Sequence, residues 1–244
     1  MLLWRPALAA VFATLLLALP AHATPACDVP AEYAAEARPL PQAARALAAG
    51  HLSVLAIGSG SAAGAAGSQP EAAWPARLAA TLQARFPQAR VEMSVRGARG
   101  VTAMEHLAML RDGPSGAALV VWQVGTVEAA RGLDADEMSD ALRSGIERLR
   151  RGGADIVLMD QQFSRFLRAN ANVEPYRDKL RLVATATGTP LLRRYDLMQG
   201  WAEGGGPDVE RAPRNERTAV MDRLNDCVGR ALGALVIRGI AMSR

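Results

Sequence analysis

The sequence predicts an α/β fold, a three-layer α/β/α sandwich built around a five-stranded parallel sheet. Two observations carry this. Five short runs are apolar or rich in β-branched residues over a strand's length, the mark of strands buried between helical layers. Segments with helical period separate them at about 30–40 residues per unit, the spacing of βαβ crossovers. The 244 residues suit one such domain better than two.

In chain order, residues 1–23 read as a secretory signal. Arg5 supplies the positive start, residues 7–19 form an apolar stretch too short to span a bilayer stably, and Ala21-His22-Ala23 matches the small-x-small cleavage pattern. The alternatives are an uncleaved anchor, disfavoured by Pro20, and a lipoprotein through Cys27. The latter is disfavoured because Thr24 stands where a lipobox wants an aliphatic residue. The mature chain is expected to be periplasmic or secreted and to have no membrane span. Residues 24–49 read as an N-terminal arm with a short helix broken around Pro39 and Pro41, and residues 50–244 as the domain proper.

The predicted strands are 52–57, 91–95, 118–124, 155–159 and 190–194, all read as buried. Helical stripes recur at Trp74, Leu78, Leu82 and Phe86, at Met104, Leu107, Ala108 and Arg111, and from Met138 to Leu149. The third stripe opens on Asp134, Asp136 and Glu137 and closes on Arg150 and Arg151, a charge order that suits the helix dipole. A long closing helix is expected from 216 or 217 to 240. Residues 200–214, rich in Gly, Pro and charge, read as a loop that could act as a lid.

Composition narrows the chemistry. The net charge of +4 is small for this length and calls for no nucleic acid. Only Lys179 among the 28 basic residues is a lysine; Arg165, Arg168, Arg193 and Arg194 read as solvated surface rather than contacts for an anionic polymer. Three histidines and two cysteines leave few metal ligands, and neither a metal nor a cofactor is expected. In an oxidising compartment Cys27 and Cys227 are most simply a disulfide, two free thiols being the other reading.

In an open parallel sheet, ligands meet the loops at the carboxyl ends of the strands. Three such loops stand out: Gly58-Ser59-Gly60-Ser61-Ala62-Ala63-Gly64, then Arg96-Gly97-Ala98-Arg99-Gly100, then Gly125-Thr126-Val127-Glu128. The first lacks the Walker lysine and the dinucleotide spacing, which argues against a nucleotide. Small residues here also serve a plain structural purpose, letting the backbone turn and the next helix pack closely. Trp122, at the end of the third strand, reads as core. His51 reads as a solvated turn residue and His106 as a helix surface residue, neither placed to act as a base.

Leu55 to Gly64 resembles the first sequence block of SGNH (GDSL-type) hydrolases, Val95 to Gly100 the second, and Val121 to Thr126 the third. Residues 155–161 and 190–201 resemble later strands, and Asp222-Arg223-Leu224 the final D-x-x-H block, so the resemblance spans about residues 50–240. It implies the flavodoxin-like SGNH-hydrolase fold and an esterase ancestry. It also implies that the nucleophilic serine falls on Gly60, between Ser59 and Ser61, that the oxyanion asparagine falls on Val127, and that the final histidine is missing after Asp222. Gly97, the glycine whose backbone N–H serves the oxyanion in the family, is kept.

A serine hydroxyl needs a base within hydrogen-bond reach before it attacks an ester. The expectation is therefore an exported, catalytically inactive SGNH-like protein, acting as a binding or accessory protein in envelope or polysaccharide metabolism. Its pocket would be lined by Gly58, Gly60, Gly97, Gly100, Thr126 and Val127, and its ligand would be an acylated glycan or lipid-like ester. The sequence specifies no protein partner. The alternative is an active esterase or acyltransferase using Ser59 or Ser61, with Asp222.

Overall fold

The computed structural model describes residues 27–29, 35–65, 67–111 and 116–243. The expected signal segment and its cleavage site lie outside them. Five strands form one parallel sheet: β1 (His51–Ile57), β2 (Arg90–Arg96), β3 (Leu119–Gln123), β4 (Asp155–Met159) and β5 (Leu191–Leu192). Their spatial order is β2-β1-β3-β4-β5, so the chain steps to one side after β1 and to the other from β3 onward. That reversal puts the topological switch point, where ligands bind in open parallel sheets, at the carboxyl ends of β1 and β3, where Ile57 pairs with Trp122.

Alternation along the strands divides the core in two. Val54, Ala56, Val121 and Val157 join one apolar cluster with α1 (Pro41–Ala48), α2 (Trp74–Arg85), α9 (Arg217–Ala241) and residues of α8 (Arg194–Glu203). Leu55, Ile57, Val120, Trp122 and Leu158 join the other, against α3 (Ala103–Met109), α5 (Ala135–Arg151) and α7 (Glu174–Thr187). Two short helices, α4 (Thr126–Arg131) and α6 (Arg165–Asn170), follow β3 and β4. Trp122 is fully buried, as expected, and its ring lies against Gly145 of α5, where a Cβ would sit 2.3 Å from it.

Three expectations need correction. β2 is not buried: it is an edge strand whose residues alternate between partial and full exposure, because a sheet edge has a neighbour on one side only. The run at 190–194 yields a two-residue strand, and Arg194 already begins α8, which continues through Gly200 to Glu203 before the loop starts. Pro41 does not break the first helix; it opens it, at the position where a missing N–H costs nothing. That helix belongs to the common core, burying Ala43 and Leu47, with Ala43 N–H donating to Asp155 (2.9 Å). Cys27 and Cys227 form a disulfide (Cα–Cα 5.1 Å) that ties the residues before α1 to the middle of α9. Among the described residues, no helix is long and apolar enough to cross a membrane.

Candidate functional site

The loops after β1, β2 and β3 follow the strands at this switch point. Residues 58–65 turn tightly after β1, with Ala62 N–H and Ala63 N–H both donating to Ser59 O (3.1 and 3.2 Å) and Ala65 N–H to Gly60 O (2.8 Å). Gly97 closes over this turn at φ +153°; a Cβ there would fall 1.7 Å from the Gly58 carbonyl oxygen, so no other residue fits. The loops after β2 and β3 are joined by Glu128, a buried carboxylate. It accepts from Ala103 N–H (2.6 Å) and Gly125 N–H (3.0 Å), which occupies both oxygens with backbone.

The two serines flank one buried amide. Ser61 Oγ–H donates to Gln123 Oε1 (2.8 Å), while Gln123 Nε2–H points at Ser59 Oγ at 3.5 Å. Arg194 Nη1–H donates to Ser61 Oγ (3.2 Å) and Nη2–H to Gln162 Oε1 (3.4 Å). Gly60 lies between the serines with room beside it: a Cβ would meet Ala65 Cβ at 3.5 Å and Arg99 Cα at 3.8 Å, ordinary contacts. Among the described residues no carboxylate or imidazole hydrogen-bonds to Ser59 or Ser61. Asp222 turns away to accept from Ser68 N–H (3.0 Å), and Asp226 pairs with Arg230 (2.7 Å). Val127 is half-buried on α4 and has no side-chain donor; Thr126 Oγ1 accepts from Gln162 N–H (3.3 Å). Gly100, at φ +83°, borders Arg131 at the outer rim.

His106 is where the sequence misled most. It is not on the helix surface but 1% exposed, beneath the first loop. Nε2–H donates to Gly58 O (3.1 Å) and Nδ1 accepts from Trp122 Nε1–H (3.2 Å), an assignment that follows from indole being a donor only. Burial holds the imidazole below its ordinary pKa, with the Gly58 hydrogen bond opposing. Both ring nitrogens are occupied, so neither can take a proton from serine. The reason is register: a capping box at Thr102 and Glu105 starts α3 so that Ala103, His106 and Leu110 face inward, leaving Met104 and Ala108 outside. The i, i+3, i+7 spacing of those inward residues was the available signal. His51 is exposed beside Glu92 (3.0 Å), but it is no turn residue: it opens β1, paired with Arg90.

Behind Arg194 lies a buried polar network that the strand patterns did not announce. Arg194 is itself 1% exposed, not solvated surface, because α8 begins there and turns its side chain under the sheet's end. Arg177 pairs with Asp196 and with Glu174 (2.8 Å), and its guanidinium lies over the Tyr195 ring. Asp160, fully buried after β4, accepts from Tyr195 N–H (2.9 Å), and burial pushes its carboxyl up to about 7. An unfolded aspartate titrates near 4. Between these values the folded state holds the extra proton, so this group makes stability fall as pH rises from about 4 to about 7. Asp160→Asn is expected to remove that fall. His106 acts with the opposite sign, costing stability as pH drops below its unfolded value of about 6.5. The readout is therefore the difference between wild type and variant in denaturant unfolding at pH 5 and pH 8. An unchanged difference would show that Asp160 does not titrate there.

The expected lid resolves into a tethered loop after α8. Glu210 accepts from Ser164 Oγ–H (2.6 Å) and Arg165 N–H (2.8 Å), and Asp208 pairs with Arg165 (2.8 Å). Neither carboxylate hydrogen-bonds to Ser59 or Ser61; their partners are Ser164 and Arg165.

Comparison with known proteins bears on the family and the fold. A family model described as the Non-GDSL lipase-like family matches residues 26–242. No curated protein matches the sequence. Among solved structures, TesA is similar with a TM-score of 0.56 at 22% identity, over 75% of this chain and 99% of its own. LAE5, an alpha/beta hydrolase enzyme from the metagenome of Lake Arreo, Spain, is similar with a TM-score of 0.58 at 18% identity, over 79% and 96%. A two-domain esterase (CEX) active on acetylated mannans reaches a TM-score of 0.66 at 14% identity, over 86% of this chain and 57% of its own. At these identities the likeness establishes the fold, which is the SGNH-type sandwich expected from the sequence.

Proposed function

The chain belongs to the Non-GDSL lipase-like family, and on that premise we propose that it keeps the SGNH-hydrolase scaffold as a binding or accessory protein without the hydrolytic chemistry. One observation carries this: the two groups on the Ser61 hydroxyl are an amide and a guanidinium, Gln123 and Arg194, and neither accepts a proton at neutral pH. The imidazole of His106 is committed beneath the loop. Because nucleophile, base and oxyanion donors act as a unit, a site lacking base and nucleophile loses most of the rate. The ligand class proposed is an acylated glycan or lipid-like ester, in envelope or polysaccharide metabolism. The likeness to CEX, which is active on acetylated mannans, supports the glycan. A periplasmic or secreted location is proposed with it, supported by the Cys27–Cys227 disulfide.

One feature favours a rival reading, an esterase using Ser61: the Arg194 guanidinium, 3.2 Å from its hydroxyl, would stabilise an alkoxide. The purified chain is expected to hydrolyse p-nitrophenyl acetate and butyrate no faster than buffer, with a Ser59→Ala/Ser61→Ala double variant indistinguishable from it. Gly60→Ser, which the site can accommodate, is expected to give no turnover, since the atoms nearest a Cβ there belong to Ala65 and Arg99, neither of them a base. Clear turnover that disappears in the double variant would establish the rival.

A further inference from the structure

We propose that β2 pairs with β2 of a second copy of this chain, antiparallel about a two-fold axis at Ser94, so that the two sheets become one. β2 ends the strand order on one side and follows β1 through seven residues without a break in register. Gly58 N–H donates to Arg96 O (3.2 Å) and Arg90 N–H to Gly50 O (2.9 Å), so the even-numbered residues of β2 turn their backbone groups toward β1. Those of Val91, Met93 and Val95 point outward. Gln83 Oε1 accepts from Val91 N–H (3.0 Å) and Gln83 Nε2–H donates to Ala89 O (2.9 Å), which seals the start of the edge. Among the described residues nothing pairs with the outward groups of Met93 and Val95. An open edge of this kind is a template for another strand.

The open positions stand symmetrically about Ser94, and that symmetry selects the partner. A two-fold contact requires that residue i meet residue j and that j meet i. An axis at Ser94 satisfies this with Met93 opposite Val95 in both directions, each pair exchanging two backbone hydrogen bonds. Charge selects the same register. Glu92 of each copy falls opposite Arg96 of the other, and opposite charges across a strand pair attract. Moving the axis to Met93 would set Arg90 against Arg96, and moving it to Glu92 would set two carboxylates together. Charged residues ordinarily guard an edge strand; here they exclude the neighbouring registers and admit this one. The apolar face agrees. Val95 is 45% exposed, and with Met93 it lines an apolar groove of about 420 Å³ between β2 and α2, bordered by Ala62, Ala76 and Ala79. Opposite residues of an antiparallel pair share a face, so pairing covers this apolar surface together with the open backbone.

The proposal does not rest on the absence of hydrolysis, and a measurement without any ester tests it. Sedimentation velocity of the purified chain is expected to show a monomer that becomes mostly dimer by about 100 μM. Ser94→Glu sets two carboxylates against each other on the axis and should weaken association at least about tenfold. Ser94 is exposed and its hydroxyl makes only a long contact to Val54 O (3.4 Å), so the variant should keep the wild-type circular dichroism. Ser94→Cys should link two chains through a disulfide under mild oxidation, because residues facing each other on the axis have Cα atoms about 4.5 Å apart. Arg90→Cys, exposed on the same strand but distant from the axis, should not. If Ser94→Glu does not fold, the two cysteine variants decide. A chain that stays monomeric at about 100 μM would overturn the proposal. So would a dimer that Ser94→Glu leaves unchanged, or equal cross-linking of the two cysteine variants. None of these outcomes alters the ester-turnover result.

Discussion

Gly97→Ala is expected to destabilise the fold by more than about 4 kcal/mol, at the severe end for a single substitution. The added methyl would lie 1.7 Å from the Gly58 carbonyl oxygen, a backbone atom held from two sides. Gly58 N–H donates to Arg96 O (3.2 Å) and Gly58 O accepts from His106 (3.1 Å), so relief means moving the end of β1, the end of β2 or the start of α3. The φ of +153° adds backbone strain for any residue with a Cβ. The control is Gly60→Ala, two residues after Gly58, whose methyl meets only ordinary contacts. It is expected to lie between neutral and about 1 kcal/mol more stable, through reduced freedom of the unfolded chain. Chemical denaturation of both variants checks this. A Gly97→Ala protein within about 1 kcal/mol of wild type would mean that the two loops do not pack as described. The consequence for function is that Gly97 is explained by packing alone, so its retention is no sign of a working oxyanion hole.

Removing the disulfide is the second large effect. Cys27 and Cys227 are 200 residues apart, and on the chain-entropy account their crosslink stabilises the fold by up to about 5 kcal/mol. Cys27→Ala is the cleaner variant, because Cys227 is buried on α9 and serine there would bury a hydroxyl. Thermal unfolding should shift downward in Cys27→Ala and by a similar amount in reduced wild type. Intact mass after alkylation without reductant should show no label on either cysteine. Two labels would refute the bond in the isolated protein, and an unchanged transition on reduction would refute its stabilising role. The effect is not confined to the terminus. Trp201 Nε1–H donates to Asp28 O (2.8 Å), so the tether braces α8 and with it Arg194.

How much was legible follows from where the information lies. β3 could be read because all five of its residues are buried, leaving an uninterrupted apolar run. α9 could be read because its 25 residues carry a long pattern. β2 was found but its burial was not, since an apolar run does not say whether a neighbour covers it. α8 was missed because Arg194 and Gly200 mask a buried face formed by Tyr195, Leu197, Met198 and Trp201. The face of α3 was read one residue out, and one residue turns a helix by about 100°. That shift put the exposed Met104 in place of the buried Ala103, and Leu107 in place of the buried His106.

The sequence by itself determined the sheet, its layers and the glycine between Ser59 and Ser61. These depend on local periodicity and on which residue stands at Gly60. Only the tertiary structure decided what the remaining polar groups do. His106 holds Gly58, Gln123 separates two serines, Glu128 joins two loops, and Arg194 lies buried against Ser61 and Gln162. The physical reason is that a hydrogen bond acts over about 3 Å and its partners here come from distant parts of the chain. No spacing in the sequence encodes a contact that exists only once β1, β3 and α8 bring their carboxyl-end neighbours together.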